Sequence, residues 1–112
     1  MSAITTHILD ISQGRPAPGV NVVLEFQSDT WESLGTGVTD ADGRLKTLLP
    51  TEFQLQPGKY RITFETAAYF AAQNIASFYP EVSVTFFIQD TAQHYHIPLL
   101  LSPFGYSTYR GS

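Results

Sequence analysis

Three histidines, His7, His94 and His96, are the side chains of this sequence that titrate nearest neutral pH. Two of them stand two positions apart in "HYHIPLLL", and on a β-strand that spacing points both imidazoles to one face. His94, His96, Pro98 and Leu100 then share one side, while Tyr95, Ile97, Leu99 and Leu101 form an apolar side that belongs in a core. The histidine side is left for water, a partner subunit or a ligand. Three readings fit: solvent-facing or structurally satisfied histidines, acid–base chemistry, or zinc, for which three protein ligands and one open position form a common catalytic set. Zinc has the least support. The chain has no cysteine, and the nearest carboxylate, Asp90, falls in a predicted turn.

Arg44 follows Gly43 directly. It is either a solvent-facing charge at a strand start or a planar donor fork that holds an anion or a polarised carbonyl. Arg110, in the terminal "YRGS", has the same two readings and a third in which it anchors the C-terminal segment. Lys46 and Lys59 read as solvated charges, and Trp31 and Glu32 as surface packing. Other chemistries lack their residues. "GYSTYRG" does not match the G-x-S-x-G elbow of serine hydrolases, and no G-x-G-x-x-G or Walker A pattern is present. The ten carboxylates are dispersed, with no pair placed as in a glycosidase.

The elements that must carry these residues are strands. Val20, Val22, Leu24 and Phe26 alternate in "VNVVLEF", Tyr60, Ile62 and Phe64 in "KYRITFE", and Val82, Val84, Phe86 and Ile88 in "EVSVTFFI". Turns separate them: "GRPAPG", "TDADG" with an Asx-turn and positive φ at Gly43, and "QPGK". Pro98 removes a ladder donor, which predicts an edge strand or a bulge there. The alanine-rich stretch Thr66–Ala76 predicts one short helix capped by Thr66. The pattern as a whole is an antiparallel meander or Greek-key sandwich.

Size permits one domain, residues 1–112. With 43% apolar residues, eight Phe and six Tyr, the chain has aromatics beyond what one small core needs, which points to oligomerisation. A net charge of −4 without a basic patch argues against nucleic-acid partners. "MSAITTHIL" lacks the basic and apolar regions of a signal peptide, and "LLL" is far short of the roughly 20 residues that cross a bilayer. No membrane association and a cytoplasmic location are expected by default, although a mature chain cut from a periplasmic or peroxisomal precursor would read the same.

"TTHILD", "GRPAPGV", "TDADGR", "GKYRITFET", "FYPEVSVTF" and "HYHIPLLLSPFGYSTYRGS" together resemble the 5-hydroxyisourate hydrolases, the enzymatic relatives of transthyretin. The resemblance covers essentially the whole chain. Its middle is shared with many transthyretin-like modules, whereas its two ends are particular to the hydrolases. It implies an all-β, transthyretin-like antiparallel sandwich of about eight strands with one short helix, assembled as a homotetramer from two dimers, with sites facing the channel between dimers. It also implies a catalytic set of His7, Arg44, His96 and Ser112, with Tyr109, Arg110 and Gly111 joining them around the substrate. Asp40 stands where the family often has Asn.

The implied reaction is hydrolysis of 5-hydroxyisourate to 2-oxo-4-hydroxy-4-carboxy-5-ureidoimidazoline, with neither metal nor organic cofactor. His96 would sit beside the attacking water and His7 across the ring, roles that the sequence leaves reversible. Ser112 would bring a hydroxyl and the α-carboxylate to the site, and His94 would be secondary at the channel rim. The competing expectation is a non-enzymatic binder of a small planar ligand, which would not require the histidine and arginine set.

Overall fold

Strict alternation of apolar and polar residues requires each strand to have an inner and an outer face, and two such sheets bury their inner faces against each other. The computed structural model, which describes residues 2–112, has this form. Nine strands and one helix follow in chain order: β1 (Ile4–Asp10), β2 (Arg15–Pro16), β3 (Asn21–Gln27), β4 (Trp31–Val38), β5 (Arg44–Leu45), β6 (Gly58–Phe64), α1 (Thr66–Ala71), β7 (Val82–Ile88), β8 (Tyr95–Ser102) and β9 (Gly105–Thr108). One sheet has the order β2-β1-β8-β9, with β5 also pairing β1; the other has the order β4-β3-β6-β7. Two of the nine strands, β2 and β5, are only two residues long and share the outer edge of β1.

The core lies between the sheets. Ile4, Ile8, Ile97, Leu99 and Leu101 from one side meet Val22, Leu24, Tyr60, Ile62 and Phe64 from the other, all buried. The alternation expected for β3, β6 and β7 is the one observed, with Phe26, Val84 and Phe86 partly covered at the margins of the cluster.

Three local expectations change. The ladder between β1 and β8 is parallel, so the first sheet is mixed, while every other pairing is antiparallel. Pro98 lies in an interior strand. Its carbonyl faces the β9 side, where it accepts from Thr108 Oγ1 at 2.6 Å, so its missing N–H falls between the end of the β9 ladder at Thr108 and the next bond, from Gly111 N to the His96 carbonyl. A proline is tolerated there because no acceptor awaits it. The helix is also shorter than expected. Glu65 is its N-cap, Thr66 Oγ1 is buried without a partner, and the chain leaves the helix through Asn74 at φ 60°. Thr66 therefore does not cap. Among the described residues no helix is long and apolar enough to cross a membrane.

Candidate active site

The parallel ladder aligns Thr5 with His96 and His7 with Pro98, and β5 sets Arg44 opposite His7. Residues in register point to the same side of a sheet. Ile4, Thr6 and Ile8 face the core, so Thr5, His7, Arg44 and His96 emerge together on the outer face of the first sheet.

Arg44 is placed by the turn before it. Asp40 Oδ1 accepts from the N–H groups of Asp42 and Arg44 at 2.9 and 3.0 Å, and Gly43 N–H donates to the Asp40 carbonyl. Gly43 takes φ 72°, its carbonyl accepts from Ile8 N–H, and a Cβ there would run into the Ile8 carbonyl oxygen. Only glycine allows the turn to close this tightly on β1. The Arg44 N–H bond is also the main reason the Asp40 carboxyl lies below its ordinary pKa. An aspartate thus fills the place where the resembled family often has asparagine, with the same acceptor geometry.

Arg44, Lys46, His94, His96 and Ser112, with Thr5 and Thr6, line a cavity of about 260 Å³. Both His7 and His96 have pKa values below the ordinary 6.5, each chiefly through burial and next through the Arg44 guanidinium. His94 and His7 add further repulsion at His96. Partial desolvation and fixed positive charge both disfavour an imidazolium, so each ring is held neutral and able to take a proton at neutral pH. Thr5 Oγ1, on a residue 3% exposed, lies 2.8 Å from His96 Nδ1 and 3.1 Å from His94 Nε2. The two imidazoles are nearly parallel, 16° between planes at 6.4 Å. Among the described residues no three His, Cys, Asp or Glu side chains converge as metal ligands.

The C-terminal segment continues beside β8. Gly111 N–H donates to the His96 carbonyl at 2.8 Å, and a Cβ on Gly111 would come within 2.7 Å of His96 Cδ2 and 3.1 Å of Pro98 Cγ. Gly111 is thus the wall against which the His96 ring rests. Tyr109 and Arg110, expected around the substrate, do not line the cavity that holds Arg44 and Ser112. They line an adjoining one with Phe86, Phe87 and Tyr95, and His96 borders both cavities. Arg110 stacks 4.5 Å over the Tyr95 ring and donates to Gln93 Oε1 at 2.6 Å, which ties the segment down. Gly111→Ala is expected to lower kcat/KM at least tenfold with little change in melting temperature, because a shift of about 1 Å in a catalytic group costs on the order of 10²-fold. Steady-state kinetics alongside a thermal melt would check it, and unchanged kinetics would show that the ring tolerates displacement.

The structure therefore brings together Arg44, His96 and Ser112, with His7 beside them, and sets Tyr109 and Arg110 behind His96. Thr5 and Lys46 were not expected at the cavity, although Thr5 has the strand parity of His7 and Lys46 lies two residues beyond Arg44.

Residues 4–111 match the model of the HIUase/Transthyretin family. The chain is 54% identical over 110 residues to a 5-hydroxyisourate hydrolase of Salmonella typhimurium, covering 97% of this chain and 80% of the relative. Its structure is similar to that of Klebsiella pneumoniae 5-hydroxyisourate hydrolase, with a TM-score of 0.85 and 41% identity over 97% of this chain and 98% of the other. It is also similar to sea bream transthyretin in complex with thyroxine, with a TM-score of 0.91 and 34% identity over 98% and 95% of the two chains. The fold alone therefore does not separate the hydrolases from transthyretin, whereas sequence identity is higher to the two hydrolases named.

Proposed function

We infer the activity from one premise: the chain belongs to the HIUase/Transthyretin family. It hydrolyses 5-hydroxyisourate to 2-oxo-4-hydroxy-4-carboxy-5-ureidoimidazoline in urate degradation. Water attacks C6, the N1–C6 amide bond breaks, C6 becomes a carboxylate and N1, the leaving nitrogen, takes up a proton in the ureido group. The single observation that carries the chemistry onto these residues is that His96, Arg44 and Ser112 line one small cavity, with His7 paired to Arg44 across the adjoining ladder.

His96 takes the proton of the attacking water, and a proton reaches the leaving nitrogen through His7. The neutral His7 ring accepts the proton given up by His96 on one nitrogen and releases one from the other, so both rings end neutral. Arg44 stabilises the oxygen of C6 as it gains charge, and the Ser112 hydroxyl orients substrate or water. No covalent nucleophile is needed. The test is to generate 5-hydroxyisourate from urate in situ and follow its ultraviolet decay. The protein should accelerate that decay without consuming urate, and an unchanged decay would remove the assignment.

The pH dependence has a fixed sign. A base whose pKa is below 6.5 stays neutral as pH falls through 6.5, so the acid limb of kcat/KM is expected below that value. The same lowering makes the unfolded chain bind more protons than the folded one between the folded pKa values and 6.5. Stability from these groups is therefore full above 6.5 and declines as pH drops through that window. A pH–rate profile with its acid limb above 6.5 would contradict the neutral-base reading.

A homotetramer built as a dimer of dimers belongs to the same proposal. It is supported by the position of β7 and β9 as terminal strands of the two sheets and by the exposure of Phe87, Phe104 and Tyr106 on or beside them. Pairing these edges between copies would satisfy open ladders and cover aromatic surface. Sedimentation at assay concentration should show four copies, and a fully active monomer would refute this.

A further inference from the structure

The proposed base has two ring nitrogens, and only a bare Nε2 at the open end of the His96 ring can take a proton from water. Both flanks of the ring are occupied. Nδ1 lies 2.8 Å from Thr5 Oγ1, and Cδ2 rests against Gly111. The tip formed by Cε1 and Nε2 is what remains for substrate. Which tautomer is present therefore depends on what Thr5 offers to Nδ1.

Thr5 has one hydroxyl proton and two imidazole neighbours, His96 Nδ1 and His94 Nε2. A hydroxyl donates once and accepts up to twice, so if it bonds both rings it accepts from at least one of them. Donation to His96 Nδ1 would put the ring proton of His96 on Nε2 and abolish its basicity toward water. Donation to His94 leaves the Thr5 oxygen to accept from His96 Nδ1–H, with Nε2 bare. We propose that Thr5 is a positioning residue of the second kind, which accepts from His96 Nδ1–H and donates to His94 Nε2, and so holds His96 in the tautomer that can act as base. This rests on the reading of His96 as the base.

The contact is held in place: Thr5 is buried, it sits in an interior segment of β1 and it is in direct register with His96, so its hydroxyl cannot rotate away freely. His94 acquires a role in the same step, as the acceptor that fixes the orientation of the Thr5 hydroxyl.

The deciding measurement is nitrogen-15 NMR of histidine-labelled protein at about pH 8, where neutral imidazole tautomers are distinguished by their ring shifts. His96 should be the Nδ1–H tautomer, and an Nε2–H signal for His96 in the native chain would overturn the proposal. Thr5→Val, which keeps shape and removes the hydroxyl, should lower kcat by about 10- to 100-fold, the scale on which losing an outer hydrogen-bond partner acts at metal-ligating histidines, with KM within about twofold. It should also convert His96 to a tautomer mixture, and Thr5→Ser should recover most of the rate. Parental kcat in a folded Thr5→Val protein would also overturn the proposal. If Thr5→Val does not fold, the native tautomer alone decides. The NMR result does not depend on activity, so loss of the base reading, as by an active His96→Asn protein, would be seen separately.

Discussion

Replacing His96 with asparagine is expected to lower kcat by roughly 10² to 10⁴, the usual range for loss of a general base, while the folded state survives. The core contribution of β8 comes from Tyr95, Ile97, Leu99 and Leu101, which point the other way, so the substitution leaves the packed face intact. Asparagine keeps a polar group within reach of Thr5 but has no site that titrates near neutral pH. The check is the rate of 5-hydroxyisourate decay beside a circular dichroism spectrum. A rate within about threefold of the parent in a folded protein would show that another group takes the proton.

Arg44→Gln should cost roughly 10² to 10³ in kcat/KM, the scale for removing one donor to a developing oxyanion. It carries a second, independent signature. Arg44 is the largest electrostatic cause of the lowered pKa at both His7 and His96, so without it both values rise toward 6.5, although burial still holds them down. The acid limb of the pH–rate profile should therefore move to higher pH. Arg44→Lys keeps the charge but not the planar fork, and should restore the position of that limb while recovering only part of the rate. If Arg44→Gln lowers the rate without moving the limb, the guanidinium acts on substrate alone and the histidines are tuned by burial.

Strand parity makes most of this site legible in the sequence itself. The alternation in "HYHIPLLL" separated His94 and His96 from Tyr95 and Ile97, and the side chains divide in that way. The Asx-turn at Asp40 and the positive φ of Gly43 were readable because their causes are local. What the sequence does not show is set by distant neighbours. Nothing near Pro98 announces that β9 stops one residue short of needing its N–H, and nothing near Ile4 announces a parallel partner more than ninety positions away. Arg110 has no periodic neighbour to fix its direction, and the Tyr95 face and Gln93 decide it. Thr5 looked like an ordinary strand residue because its significance lies in what stands beside it across the ladder. The resemblance to known hydrolases supplied the remaining step, from a histidine-bearing face to a particular amide bond.

The parallel pairing of β1 with β8 also governs when the site can exist. The strands of the second sheet all lie between residues 21 and 88, whereas Thr5 meets His96 across 91 positions. At translation speeds of about 5 to 20 residues per second, the ribosome takes on the order of 5 to 20 s to deliver the partner of β1 after β1 itself. Over that interval β1 has only the two-residue strands β2 and β5 to hold it. One half of the sandwich can thus be complete while the other still waits for its central strand. A nascent chain stalled near residue 90 would hold His7 and Arg44 but no His96, so catalytic competence arrives late in synthesis, with the closure of the first sheet.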